Sequence, residues 1–146
     1  MKNLSFLLLA EIFLLICLML FTFSSPKPPY AKIDNHNFSL YLATTPKDRE
    51  TGLAKFNKIN VDQGMLFIFP EADYYSFWMK NMLFPIDIIF INQNKIVEIF
   101  ENVPVSSKNP LPIYTGSTKA NEVLEINAGL SKKYGLKKGD FATTVL

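Results

Sequence analysis

The sequence predicts a mainly β domain standing behind a single N-terminal transmembrane helix, and three observations carry that reading. Leu4–Phe23 is an apolar run broken only by Ser5, Glu11, Cys17 and Thr22. Beyond residue 30 the apolar residues alternate in short segments bounded by turn-forming residues, which is the pattern of strands. Helical signals are confined to two short stretches, one starting at Thr45-Pro46 and one over Ala128–Tyr134.

The N-terminal run comes first. At about 1.5 Å per residue it spans roughly 30 Å, the thickness of a bilayer core. Glu11 opposes insertion by about 2.5–3.5 kcal/mol, but the surrounding Leu, Ile and Phe residues together outweigh it. A cleaved signal peptide is the competing reading; its apolar region is usually only about 7–15 residues, and Phe23-Ser24-Ser25 is a poor small-x-small site. An uncleaved anchor over residues 1–23 is therefore expected, followed by a proline-rich linker over 24–30 and one β-rich domain over 31–146. Lys2 places the start inside, against the pull of Lys27 and Lys32, so the domain is expected on the extracytoplasmic side.

Composition narrows the function classes. The 146 residues are 49% apolar and 14% aromatic, ample for one packed core. The formal net charge is +2, which gives no electrostatic footprint for nucleic acid. The one cysteine, Cys17, lies in the anchor, so the domain has no internal disulfide and no thiol chemistry. The one histidine, His36, falls in the turn-like Asp34-Asn35-His36-Asn37, and a zinc site of the usual His/Cys kind is excluded by count. No metal and no cofactor is expected.

Within the domain, Lys32–Asp34 and Phe38–Ala43 flank that turn as a hairpin. Thr45-Pro46-Lys47-Asp48 has a hydroxyl cap, a proline at the first helical position and an early acid, so a helix should run from there to about Phe56, with Arg49, Leu53 and Phe56 on one side. Gly64–Phe69 reads as a central strand broken by Pro70–Tyr74. Lys95–Val103 follows a hairpin turn at Asn92-Gln93-Asn94, with Val97, Ile99 and Val103 on one face. Pro104–Thr118 has no period and reads as a long loop. Glu122–Asn127 is a strand, Ala128–Tyr134 one or two helical turns stopped by Gly135, and Lys137–Asp140 a turn, with Asp140 bonding its own turn, into a last strand ending near Val145.

Phe77–Ile91 is the most informative stretch. Alternation puts Phe77 and Met79 on one face and Trp78 and Lys80 on the other; after the Asn81–Pro85 turn it puts Ile86, Ile88 and Phe90 on one face and Asp87, Ile89 and Ile91 on the other. Asp87 is thus a carboxylate among isoleucines, and a buried carboxylate needs a cation or hydrogen-bond donors. Lys80, across the turn, and Arg49, the chain's one arginine, are the candidate partners.

Val61-Asp-Gln-Gly-Met-Leu-Phe-Ile-Phe-Pro70, the Phe77–Ile91 segment, and Val123-Leu-Glu-Ile-Asn-Ala-Gly129 with Gly135-Leu-Lys-Lys-Gly-Asp140 resemble, in order and spacing, the bacterial and archaeal family called domain of unknown function 192. The resemblance covers about Phe38 to Asp140. Arg49-Glu-Thr-Gly-Leu53 is similar to the family's arginine, two residues, then Gly-Leu, although Ala54-Lys55 replaces its methionine-and-arginine continuation, and Pro104-Val-Ser departs from its proline-rich pattern. The resemblance implies a compact antiparallel β-sandwich or jelly-roll-like barrel with one or two short helices; no activity is established for the family.

Arg49, Trp78, Lys80, Asn81 and Asp87 are therefore the candidate ligand-binding residues. Three readings use them. In the first, Asp87 pairs with Lys80 or Arg49 to fix strand register. In the second, Trp78, Lys80 and Asn81 offer an aromatic platform, a cation and an amide to a sugar-like, peptide or acidic small ligand. In the third, a hydrolase-like enzyme uses Asp87 as acid or base. The first two, a non-catalytic structural or ligand-binding module, are favoured, because no Ser-His-Asp or Cys-His set and no phosphate loop can be assembled.

Overall fold

The computed structural model describes residues 27–146 together with residues 10–13 and 15. The anchor expected over Leu4–Phe23 lies outside the described residues apart from 10–13 and 15, which are helical. Among the described residues no helix is long and apolar enough to cross a membrane.

Among the described residues from 27 on, nine strands and two short helices follow in order: β1 (Tyr30–Ile33), β2 (His36–Ala43), α1 (Pro46–Thr51) with a 3-10 turn over Gly52–Lys55, β3 (Gln63–Asp73), β4 (Ser76–Trp78), β5 (Ile86–Asn92), β6 (Lys95–Val103), β7 (Ile113–Thr115), β8 (Ala120–Asn127), α2 (Leu130–Tyr134) and β9 (Ala142–Val145). Seven strands form one sheet in the order β6-β5-β8-β3-β2-β1-β9, and β4 and β7 form a separate two-stranded ribbon. The sheet curls into a half-barrel whose edges meet at one end: Ile96 N–H donates to Asp140 O (2.9 Å), Gly139 N–H to Ile96 O (2.8 Å) and Ala142 N–H to Asn94 O (2.9 Å).

Two apolar clusters sit on the two faces. One holds residues from both sheet edges, Ile96 and Ala142, with Phe38, Leu66, Ile89, Ile91, Leu124 and Leu130 of α2, and therefore fills the concave side. The other holds Leu53, Met65, Phe67, Met79, Met82, Ile86, Ile88, Phe90 and Val123, and is covered by α1, its 3-10 turn, the β4-β7 ribbon and the turn after it. The central strands are thus buried on both faces, which explains the continuous apolar run of β5.

This corrects the expected antiparallel sandwich or jelly roll. There is one curled sheet, and β2 and β3 pair in parallel, Ser39 opposite Gln63 through Ala43 opposite Phe67. The helix between them is the crossover that a parallel pair requires. Smaller corrections have local causes. The helix from Thr45 has its capping box, but Gly52 (φ 54°) tightens its second half into the 3-10 turn. Pro70 does not end β3; the strand continues to Asp73 through a register shift after Ile68. Bulges in β6 separate Val97, which packs on the convex cluster, from Ile99, which packs on the concave one. The long loop before β8 contains β7, and His36 opens β2 with its ring stacked on Tyr134 at 3.7 Å.

Candidate functional site

Asp87 is fully buried on the concave side, as its place in the alternation requires, but the partners proposed for it are wrong. Its carboxylate accepts three backbone amides: Asn102 N–H (2.8 Å) and Gly129 N–H (2.9 Å) on Oδ1, and Ser131 N–H (2.7 Å) on Oδ2. Asn102 stands at a β6 bulge with φ 51°, which turns its amide inward. Gly129 and Ser131 open α2, whose N-cap residue, Gly129, has no side chain to serve the free amides. Asp87 does that work from a neighbouring strand. Neither Lys80 nor Arg49 is involved; both lie on the other face of the sheet.

That other face carries a cleft of about 170 Å³. One wall is α1. Thr45 caps it, accepting from Asp48 N–H (3.1 Å), and Asp48 answers through Thr45 N–H (3.3 Å); the Thr45 hydroxyl holds the Asp48 carboxyl below the usual carboxylate range. The cap fixes the orientation of Arg49, whose Nη1 donates to Thr44 O (2.6 Å) and Ile68 O (3.1 Å) and whose guanidinium lies 5.3 Å from the centre of the Phe69 ring. The opposite wall is β4 with its flanks. Phe77 meets Phe67 edge-on at 5.0 Å, Tyr75 stacks on Phe69 at 3.5 Å, and Lys80 lies 5.7 Å from the centre of the Trp78 ring. Trp78 itself is 49% exposed at the rim.

The floor is Glu125, at the centre of the sheet between Met65 of β3 and Ile88 of β5. It is only 5% exposed, and its Oε2 has no hydrogen-bond partner among the described residues. Burial alone pushes its carboxyl up to about 8, so at neutral pH it holds its proton. Gly52 leaves the approach open: a Cβ there would sit 4.0 Å from Glu125 Oε2 and 3.4 Å from the Phe67 ring. Among the described residues the one ion pair is Lys119–Asp73 (4.0 Å), so neither Arg49 nor Lys80 has a carboxylate partner. No group of three or more His, Cys, Asp or Glu side chains there is arranged to hold a metal ion.

Of the five candidate residues, the structure brings Arg49, Trp78 and Lys80 together around this cleft. Asn81 takes the left-handed conformation (φ 60°) next door and faces an adjoining hollow shared with Lys80 and Lys55. Asp87 is on the far side of the sheet. Glu125 was missed. The signal was present, since Leu124-Glu125-Ile126 sets an acid in an apolar strand, but Asn121, Val123, Glu125 and Asn127 alternate as a half-polar face, which reads as solvent-facing. Only the second layer over that face makes Glu125 a buried acid.

Comparison with known proteins agrees with this architecture. A crystal structure of a protein of unknown function from Novosphingobium aromaticivorans superposes with a TM-score of 0.71 at 29% identity, over 80% of this chain and 83% of that one. One of a putative transcription regulator from Sinorhizobium meliloti superposes with a TM-score of 0.70 at 34% identity, over 80% of this chain and 91% of that one. No curated protein matches the sequence. The profile of DUF192, described as uncharacterized ACR, matches residues 29–143. That match spans the whole of the half-barrel sheet but its last two residues, and the chain belongs to the DUF192 family.

Proposed function

We propose that the domain is a ligand-binding module, held at a membrane by its N-terminal segment on the extracytoplasmic side, that receives a small polar ligand in the cleft floored by Glu125. The observation that carries the reading is the buried, unpartnered Glu125 carboxyl. Burying a carboxyl without a partner costs on the order of 1–3 kcal/mol or more, and a leucine or methionine in its place would pack the same strand at no such cost. A group kept at that cost beside open space is suited to meet a ligand. Arg49 and Lys80 add charge at the rim, and Trp78 adds an exposed aromatic face.

The full chain in detergent, screened against small polar compounds by thermal shift, tests the reading. Ligands that raise Tm in the parent, lose that effect in Lys80→Ala and change its pH dependence in Glu125→Gln support it; ligands indifferent to both substitutions refute it. Sedimentation with membranes, and cleavage of the domain by protease added outside intact cells, test the tether and its orientation. The near-neutral charge of the chain speaks against a nucleic-acid partner.

A hydrolase-like activity is the second reading, and it moves from Asp87, whose oxygens are taken up by amides, to Glu125, whose raised pKa suits a general acid. Against it, the other acid at the cleft, Glu50, is exposed at the rim, and the hydroxyls that line the cleft are engaged elsewhere, Ser76 with Thr115 (2.8 Å) and Thr51 with Lys47 O (3.0 Å).

A further inference from the structure

We infer that the Glu125 cleft is a site for a small organic anion, a carboxylate of about the size of benzoate, which sets its charged end between the Glu125 carboxyl and the cations Lys80 and Arg49 and its body against Phe67 and Phe77. The inference rests on the binding-module reading and names the ligand class.

Charge decides the sign. The charged and titratable groups facing the cleft are Arg49 and Glu50 from α1, Tyr75 and Lys80 from the segments flanking β4, and Glu125 from β8; β3 and β5 contribute only Phe67, Phe69, Met65 and Ile88 around it. At neutral pH Glu125 is uncharged and Tyr75, pushed up by burial and by the carboxylates of Asp73 and Glu71, is a neutral phenol. What remains is two cations without carboxylate partners against one exposed glutamate. The aromatic walls do not reverse this preference. A cationic ligand would seek the faces of Phe69 and Trp78, and those are already occupied by the protein's own Arg49 and Lys80.

Size and hydrogen bonding narrow the class. A cavity of about 150 Å³ accommodates a benzene-sized body, and this cleft offers about 170 Å³. A protonated Glu125 is a hydrogen-bond donor at the floor, and a carboxylate oxygen or carbonyl is the acceptor that satisfies it. Once Glu125 ionises it faces the ligand with a like charge. Affinity for the anion should then fall about tenfold for each pH unit above about 8.

Three isosteric probes, benzoate, benzamide and benzamidine, differ in charge at nearly constant shape. Titrated into the full chain in detergent and followed by calorimetry and thermal shift near neutral pH, benzoate should bind most tightly and benzamidine least. Lys80→Ala, a change at an exposed side chain that the fold does not need, should weaken benzoate about tenfold and leave benzamide nearly unchanged. Glu125→Gln should still bind benzoate and should abolish the loss of affinity at high pH. If benzamide or benzamidine binds in a Lys80- or Glu125-dependent way and benzoate does not, the anion class is refuted while the binding-module reading stands. If none of the three binds, the anion inference is refuted, and the binding-module reading is decided by the wider screen of small polar compounds. Benzoate binding unaffected by either substitution would place the anion elsewhere and refute the inference.

Discussion

Replacing Asp87 with alanine removes the acceptor for three amides at 2.7–2.9 Å, and the structure says what each loss is worth. A hydrogen bond to a charged group contributes about 1.5–3 kcal/mol net. Asn102 and Gly129 are partly accessible, so their amides recover much of that from water; Ser131 N–H is buried and keeps the whole penalty. The expected destabilisation is therefore about 3–5 kcal/mol, a large part of the stability of a domain this size. Equilibrium urea unfolding followed by circular dichroism measures it as a lower midpoint at unchanged slope. Asp87→Asn keeps one oxygen but turns an NH₂ toward one of the donors, and should recover less than half of the loss. Because Lys80 and Arg49 lie across the sheet, the double-mutant cycles Asp87→Ala with Lys80→Ala and with Arg49→Ala should show coupling below about 0.5 kcal/mol. A loss under 1 kcal/mol for Asp87→Ala, or strong coupling to either cation, would refute the amide-cap account.

Further expectations follow from the same sheet. The unfolded chain releases the Glu125 proton near 4.5 and the folded chain near 8, so the stability tied to that proton is complete below about pH 4.5, declines as pH rises through this window and is gone above it. The difference in stability between Glu125→Gln and the parent should accordingly grow with pH, by at most about 1.4 kcal/mol per unit; a difference independent of pH would contradict the buried, protonated state. Ser131→Ala deletes a buried hydroxyl oxygen that has no partner among the described residues, and should be neutral or stabilising by about 0.5–1 kcal/mol; a clear loss of Tm would reveal a bond not seen in the structure. Gly64→Ala would bring a Cβ to 2.8 Å from the Glu125 carbonyl oxygen, so β8 must shift at the cleft floor. Destabilisation by about 1–3 kcal/mol is expected, and a neutral substitution would refute the close β3-β8 approach at this point.

Local rules read much of the fold from the sequence. The β5 alternation, the Thr45 cap, the stop at Gly135 and the Lys137–Asp140 turn, where Asp140 accepts from Lys137 N–H at 2.8 Å, depend on neighbours within a few residues. What escaped depends on distant pairing. Nothing local in Gln63–Asp73 says that it lies parallel to β2, and nothing in Ile113–Thr115 announces a partner in β4. The candidate site divides the same way. That Asp87 needed donors was legible from the isoleucines around it, but backbone amides carry no signature in a sequence, and only lysine and arginine could be counted. Glu125 was hidden by the opposite error, because a half-polar face looks wet until a ribbon is found lying on it.

The central position of β8 has a consequence for how the molecule comes into being. Its neighbours β3 and β5 precede it by roughly thirty or more residues, and no strand before it can bridge them. As the chain emerges from a ribosome, the parallel β2-β3 pair and the β5-β6 hairpin exist as two fragments, each with a long apolar edge exposed, until Ala120–Asn127 is available to join them. Assembly is therefore a late, nearly all-at-once event. A chain arrested before Ala120 would be prone to aggregation.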